Sequence, residues 1–163
     1  MDVQATIFSK LDDMGIDYDC TSHPEAHTMA DCRTAEEALH ALMPKNLFLT
    51  PRNRSAFYLC LTMPDAVFRT ASISKQIGSS RLSFAGPDDL FCLLSTVPGA
   101  ISHMGLLFDS EKKVSLLIDK AITGYSRLAF HPNDAGKSLA MSKDDFLNKF
   151  LKTLGYEPIY VDI

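Results

Sequence analysis

Apolar and polar positions recur along this chain with two periods, and the places where the period changes mark out its elements. Val3, Ile7, Leu11 and Met14 share one helical face, and Gly15 follows where a left-handed C-cap belongs. Ile16, Tyr18 and Cys20 then alternate with Asp17 and Asp19, the pattern of a half-buried strand, before His23-Pro24 turns the chain. Thr34-Ala35-Glu36-Glu37 has the form of a capping box and predicts a helix through Ala38, Leu39 and Leu42. Leu47-Phe48-Leu49 reads as a buried strand closed by Thr50-Pro51-Arg52-Asn53, with Ala56 to Thr62 as its hairpin partner.

Downstream the same reading continues. Thr70 caps a helix over 71–77 that stops at Gly78, and Pro87 takes the favoured first position of a helix over 88–94. Val114 to Ile118 and Arg127 to Phe130 read as strands, the second ending in the turn His131-Pro132-Asn133-Asp134. Ser142 with Asp145 resembles a second capping box. It opens a helix striped by Phe146, Leu147, Phe150, Leu151 and Leu154 and stopped by Gly155; Ile159-Tyr160-Val161 forms a last strand. A tight hairpin together with helix-bearing connections predicts one compact α/β domain over residues 1–163 with a mixed sheet flanked by helices. The 163 residues suffice to bury a substantial single core.

Charge sharpens the picture. The net charge is −4, which argues against a general nucleic-acid coat and against a DNA-binding protein. Between Lys45 and Arg81, however, six cations (Lys45, Arg52, Arg54, Arg69, Lys75, Arg81) face Asp65 alone, a local balance of +5, while the remainder carries −9. One electropositive face on an acidic body suits a local polyanion contact. No signal peptide and no apolar run long enough to span a membrane is present, and Cys20, Cys32, Cys60 and Cys92 show no paired spacing. The expectation is a cytoplasmic protein with reduced thiols and no membrane contact.

Several chemistries lack their motifs. There is no Gly-x-Ser-x-Gly elbow, no P-loop and no dinucleotide Gly-x-Gly-x-x-Gly, and no cysteine has a local setting that marks a nucleophile. Cys20, His23, His27 and Cys32 together offer enough ligands for a tetrahedral zinc. Yet Cys20 ends a strand and His23 precedes a proline, so no metal and no cofactor is assigned. Three features remain. Lys45 and Asn46 stand at the mouth of a buried strand, where composition alone favours a snorkelling surface lysine. The segment Pro98 to Gly105 is rich in small residues that let main-chain amides approach a ligand, or that simply make a turn. His131 sits at a strand end, either capping a turn or acting on a substrate.

Taken in order, Lys45-Asn46-Leu47-Phe48-Leu49, Arg81-Leu82-Ser83-Phe84-Ala85, Gly105-Leu106-Leu107 and Phe130-His131-Pro132-Asn133-Asp134 resemble the prolyl-tRNA synthetase editing-domain family. That family comprises the inserted editing domains of bacterial prolyl-tRNA synthetases and free-standing YbaK-like deacylases. The resemblance runs from His23-Pro24 to the final helix, with no aminoacylation domain attached. It implies a mostly antiparallel sheet and a trans-acting enzyme, most similar to those that clear alanine from tRNA specific for proline, with cysteinyl-tRNA(Pro) as the alternative substrate. It also implies the acceptor end of tRNA as partner, a transient contact with prolyl-tRNA synthetase, and water as nucleophile without a cofactor.

By the family's pattern Lys45, Gly99 and His131 form the catalytic set, with Asn46, Ala100, Ile101, Ser102 and His103 around the substrate. Lys45 would hold the acceptor-end backbone, the Gly99 loop would bind the aminoacyl carbonyl, and His131 would line the site. The chain departs from the pattern in two places. Its loop carries His103 where relatives have proline, and Gly105-Leu106-Leu107-Phe108-Asp109 has phenylalanine where relatives have asparagine. That altered loop motivates the competing expectation, a tRNA-binding module that kept the fold without the hydrolysis.

Overall fold

In the computed structural model, which describes residues 1–23 and 29–163, eight strands divide between two sheets instead of forming one. The first element, α1 (Val3–Asp13), begins at Asp2, whose side chain accepts from the Ala5 amide, and ends just before Gly15 at φ +68°. It is followed by β1 (Tyr18–Ser22) and α2 (Met29–Leu39). The hairpin β2 (Lys45–Pro51) and β3 (Phe57–Thr62) comes next, then α3 (Thr70–Gln76), β4 (Leu82–Phe84) and α4 (Pro87–Leu94). A 3₁₀ segment (His103–Phe108) leads to β5 (Val114–Asp119) and, after a second 3₁₀ turn, β6 (Arg127–Phe130) and β7 (Lys137–Ser142). The last helix, α5, covers 143–154 and is π-helical over Phe146–Leu151; β8 (Ile159–Val161) ends the fold.

The smaller sheet has the order β1-β7-β6 and is antiparallel throughout. The larger has the order β4-β2-β3-β5-β8, antiparallel across β4-β2-β3 and parallel across β3-β5-β8. Antiparallel pairings thus predominate, and the mixed α/β character follows from helix-bearing crossovers before β5 and β8. The sheets face each other across one core. Phe48, Leu59, Leu61, Leu116 and Ile118 from the larger sheet meet Leu128, Phe130, Leu139 and Met141 from the smaller, with Ile7 and Leu11 of α1, Leu90 and Leu94 of α4, and Phe146 and Phe150 of α5 filling the sides.

Strand alternation serves the outer faces as well. Leu47, Leu49, Cys60 and Leu117 point outward onto Ile73 of α3, and Ala129 and Ala140 point outward onto Ala35 and Leu39 of α2. This explains why β7 escapes a reading by period: Ser138, Leu139, Ala140 and Met141 are all buried, as the central strand of a covered sheet requires. The capping box expected at Thr34 lies inside α2, which begins at Met29 because Met29, Ala30 and Arg33 favour the helix ahead of it. The turn expected at His23-Pro24 and the candidate ligand His27 fall, beyond His23, outside the described residues.

Candidate active site

The start of β2 carries two side chains with opposite fates. Lys45 pairs across the hairpin with Thr62, is exposed, and has no ion pair among the described residues. Asn46 shares the inward parity of Phe48 and is half-buried. Just upstream, Leu42 bridges Leu128 of β6 in parallel: the Leu42 amide donates to the Arg127 carbonyl (3.1 Å) and the Ala129 amide to the Leu42 carbonyl (2.7 Å). Both chains leave this bridge in the same direction, so Lys45 and His131 each stand three residues beyond it.

His103 closes the gap between them. Its Nδ1 lies 2.7 Å from Asn46 Oδ1, and its ring packs 6.2 Å from Phe130 and edge-on to Phe146 at 5.9 Å, centroid to centroid. It is 0% exposed, and burial pushes its pKa well below the ordinary histidine value, so the ring is neutral. Its Nε2 is buried and unpartnered among the described residues.

The glycine loop is a turn with defined donors. The Ala100 amide donates to the Val97 carbonyl (3.1 Å), with Pro98 and Gly99 as the central pair and Gly99 at φ +89°, as a type II turn demands. The Ala100 carbonyl accepts from Thr96 Oγ1 at 2.9 Å, fixing the far side of the turn. Ile101 is half-buried against the central core. Ser102 is buried, and its Oγ accepts from the Met104 amide (3.1 Å) to cap the 3₁₀ segment, so its hydroxyl has a structural task. The amides of Ile101 and Ser102 have no acceptor among the described residues. Gly105 permits the whole arrangement: a Cβ there would stand 2.9 Å from both the Cβ and the carbonyl oxygen of Leu94.

Opposite this turn, His131 is 8% exposed and its Nδ1 donates to the Lys137 carbonyl (2.8 Å). Burial lowers its pKa and nearby His23 adds to that, while the Lys137 carbonyl and Asp134 act the other way. The ring is therefore neutral at pH 7 with Nε2 as the bare, accepting nitrogen. Asn133, in the left-handed region at φ +56°, donates to the Leu94 and Ser95 carbonyls (3.0 and 3.3 Å) and ties the His131 turn to the end of α4. The sequence alone does not mark Asn133 as a site residue; its place in a tight Pro-Asn-Asp turn is the signal that points to it. His23 is a second residue missed as a neighbour of the site: its ring lies 6.1 Å from that of His131 and its Nε2 2.8 Å from Ser138 Oγ. Cys20 is exposed on β1, and no group of three or more metal-ligating side chains occurs among the described residues.

The fold thus holds Asn46 against the neutral imidazole of His103, with Lys45 and His131 each three residues beyond the Leu42–Leu128 bridge. The chain belongs to the aminoacyl-tRNA editing domain family, whose model matches residues 23–149. It is accordingly a hydrolase of the aminoacyl-tRNA ester bond, a deacylase with tRNA as substrate. Over 155 residues it is 32% identical to the prolyl-tRNA editing protein ProX of Acetoanaerobium sticklandii, covering 95% of this chain and 94% of that one. It is 26% identical to the prolyl-tRNA synthetase associated domain-containing protein 1 of Bos taurus, covering 99% and 95%. A crystal structure described as a candidate trans-editing enzyme for prolyl tRNA synthetase superposes with a TM-score of 0.74 at 13% identity, over 100% of this chain and 98% of that one, and shares its fold. No helix among the described residues is long and apolar enough to cross a membrane.

Proposed function

We propose that the protein is a trans-acting editing enzyme for mischarged tRNA(Pro), with alanyl-tRNA(Pro) as its main substrate. The observation that supports this reading is the parallel Leu42–Leu128 bridge, which brings the start of β2, carrying Lys45 and Asn46, and the end of β6, leading to His131, to one end of the two sheets, beside the His103–Asn46 hydrogen bond. Lys45, exposed and without a carboxylate partner among the described residues, binds a phosphate of the acceptor end as a mobile point charge. Asn46 donates to the aminoacyl end. The Ile101 amide, beside the Gly99 turn, donates to the oxygen on which negative charge grows at the ester carbonyl.

The chemistry then needs little more than positioning, because an aminoacyl ester is already activated. Water adds to the carbonyl carbon, the bond to the ribose oxygen breaks, and the departing ribose oxygen recovers a proton. His131 Nε2, an acceptor by virtue of the Nδ1 donation to Lys137, orients the water or the neighbouring ribose hydroxyl. Arg54 is engaged by Asp89, whereas Arg52, Arg69, Lys75 and Arg81 have no ion pair among the described residues and are left to the tRNA body. A transient hand-over from prolyl-tRNA synthetase, in the cytoplasm, fits an enzyme that acts on a product of that synthetase.

The test is release of labelled amino acid from tRNA(Pro) charged with alanine, cysteine or proline. Faster hydrolysis of the alanyl ester than of the other two supports the reading; equal turnover of all three, or of none, rejects it. One methylene or sulfur is worth only about 1–3 kcal/mol in a pocket, so the alanine-to-cysteine ratio should be about 10- to 200-fold at most.

A further inference from the structure

The loop position at which relatives carry proline holds a histidine whose every contact is defined, and those contacts point to a task. His103 sits in an apolar cage made by Phe130 and Phe146, and its one polar partner is Asn46. Asn46 in turn has a second partner, the Pro44 carbonyl, 3.2 Å from its Nδ2. A carbonyl only accepts, so Nδ2 faces Pro44 and Oδ1 faces the imidazole. His103 must then carry its proton on Nδ1. The opposite tautomer would set two lone pairs against each other and bury an unpartnered N–H at Nε2; the observed arrangement leaves only an unpartnered acceptor there.

This chain of bonds fixes more than the histidine. With Oδ1 held by His103 and one Nδ2 hydrogen held by Pro44, the Asn46 amide can neither flip nor rotate, and its second N–H has no acceptor among the described residues. That hydrogen is the one left for a ligand, and it is always a donor. Among the described residues no other polar partner of His103 occurs: Phe130 and Phe146 flank the imidazole, Phe150 stacks behind Phe146, and the ring is fully buried. The π-helical turn that begins at Phe146 brings that ring onto the edge of His103.

We propose that His103 is a positioning residue: through its Nδ1–H it holds Asn46 as an obligate hydrogen-bond donor to the oxygen atoms of the aminoacyl-adenosine end. A ligand oxygen, ester carbonyl or ribose hydroxyl, matches such a donor, and a ligand amine does not. The role rests on the assignment of Asn46 to the substrate, and the experiment below separates the two.

The tautomer is read first, without substrate, from the two-bond nitrogen–proton correlations of the His103 ring in wild type and in Asn46→Ala. We expect an Nδ1–H ring whose nitrogen shifts change in Asn46→Ala; an Nε2–H ring overturns the inference. Next, 3′-alanylamino-3′-deoxyadenosine, an amide that is not hydrolysed, is titrated while the Asn46 side-chain amide is observed. One of its two N–H signals should move in wild type and not in His103→Leu; movement of the same size in both overturns the role of His103. Finally, deacylation of alanyl-tRNA(Pro) is measured for His103→Leu, which fills the cage but donates nothing, and His103→Asn, which restores a donor near Nδ1. His103→Leu should lose about 10²-fold in kcat with an unchanged thermal midpoint, and His103→Asn should recover most of it. Asn46→Ala combined with His103→Leu should be no worse than Asn46→Ala alone. Full kcat in His103→Leu, or additive losses in the double variant, overturns the inference. If wild type deacylates none of the esters, it is the function that fails, while the tautomer and the titration still decide the role of His103.

Discussion

The imidazole of His131 donates its Nδ1 proton to the main-chain carbonyl of Lys137 across 2.8 Å, bridging the turn between β6 and β7. One bond thereby fixes the tautomer, the ring orientation and the accepting nitrogen of the residue nearest in chain to Phe130, the partner of His103. Two histidines in this site are thus held neutral by different means, His103 by complete burial and His131 by burial beside His23. Their neutrality has a measurable consequence.

Both folded-state pKa values lie below the ordinary histidine value of 6.5, and both groups titrate near 6.5 once unfolded. Below that pH the unfolded chain binds protons that the native protein refuses, so stability is complete above about pH 6.5 and is lost progressively as the pH falls. Each proton of difference contributes a slope of about 1.4 kcal/mol per pH unit. Urea midpoints measured between pH 8 and 5 should be level in the upper part of this range and fall in the lower. In His103→Leu the slope should be shallower, and a slope equal to that of wild type would contradict the neutral, buried His103.

Lys45 was legible in the sequence only through its companions. It is exposed and has no ion pair among the described residues, so its removal should spare the fold. Lys45→Ala should leave the thermal midpoint within error, as surface substitutions do. It should lower kcat/KM for alanyl-tRNA by about 10- to 100-fold, the worth of a charge-assisted hydrogen bond. The dependence of tRNA binding on salt should flatten by roughly one unit of slope. Loss of stability in place of binding would show that the lysine has a structural partner.

Gly99 and Gly105 are both small for a reason, and the reasons differ. Gly99 has open space around its Cα but sits at φ +89°, so Gly99→Ala strains the backbone by about 1–2 kcal/mol without a clash. Gly105→Ala drives a methyl group to 2.9 Å from the Leu94 Cβ and carbonyl oxygen, where α4 ends against the 3₁₀ segment. That overpacking should cost about 1–3 kcal/mol and displace His103 two residues upstream. Chemical denaturation of the two variants should therefore rank Gly105→Ala the less stable, with activity falling in both. A Gly105→Ala protein as stable as wild type would mean that the Leu94–Gly105 contact is loose.

What the sequence revealed follows from what period can carry. α1 and the stripe of α5 have one buried and one exposed face, and the β2–β3 hairpin, though covered on both faces, is marked by the polar turn that joins its apolar runs, so there the outcome matches the reading. At the Ser142–Asp145 cap the Asp145 amide donates to Ser142 Oγ at 3.0 Å, the serine half of the expected capping box. By contrast β7 is buried on both faces, β4 is three residues long, and the 3₁₀ segment at His103–Phe108 has no period of its own. Division into two sheets depends on Leu42 joining Leu128, a contact between residues 86 apart that no local pattern encodes. The same holds for the site. Lys45, Asn46 and His131 stood out as residues, but the bond from His103 to Asn46 and the tie from Asn133 to α4 exist only once the chain is folded.

The buried pair Asp109 and Tyr156 provides the contrast that separates folding from function. Asp109, 3% exposed, accepts from the Lys113 and Val114 amides (3.0 Å each) and from the Tyr156 hydroxyl at 2.7 Å, pinning the start of β5 to the end of α5. Burial and this bond raise the pKa of Tyr156, so the phenol stays protonated and remains the donor. Tyr156→Phe keeps the ring that Lys112 covers at 4.5 Å and deletes the hydroxyl alone. A buried carboxylate that loses one charged hydrogen bond forfeits about 1.5–3 kcal/mol. For a chain of this size the thermal midpoint should therefore fall by roughly 3–12 °C. Neither residue bonds to Asn46, His103 or His131, so kcat for alanyl-tRNA(Pro) well below the midpoint should be that of wild type. A midpoint that does not move would show that the two backbone amides alone satisfy Asp109, and a fall in kcat without loss of stability would extend the active site to a part of the core assigned here to structure.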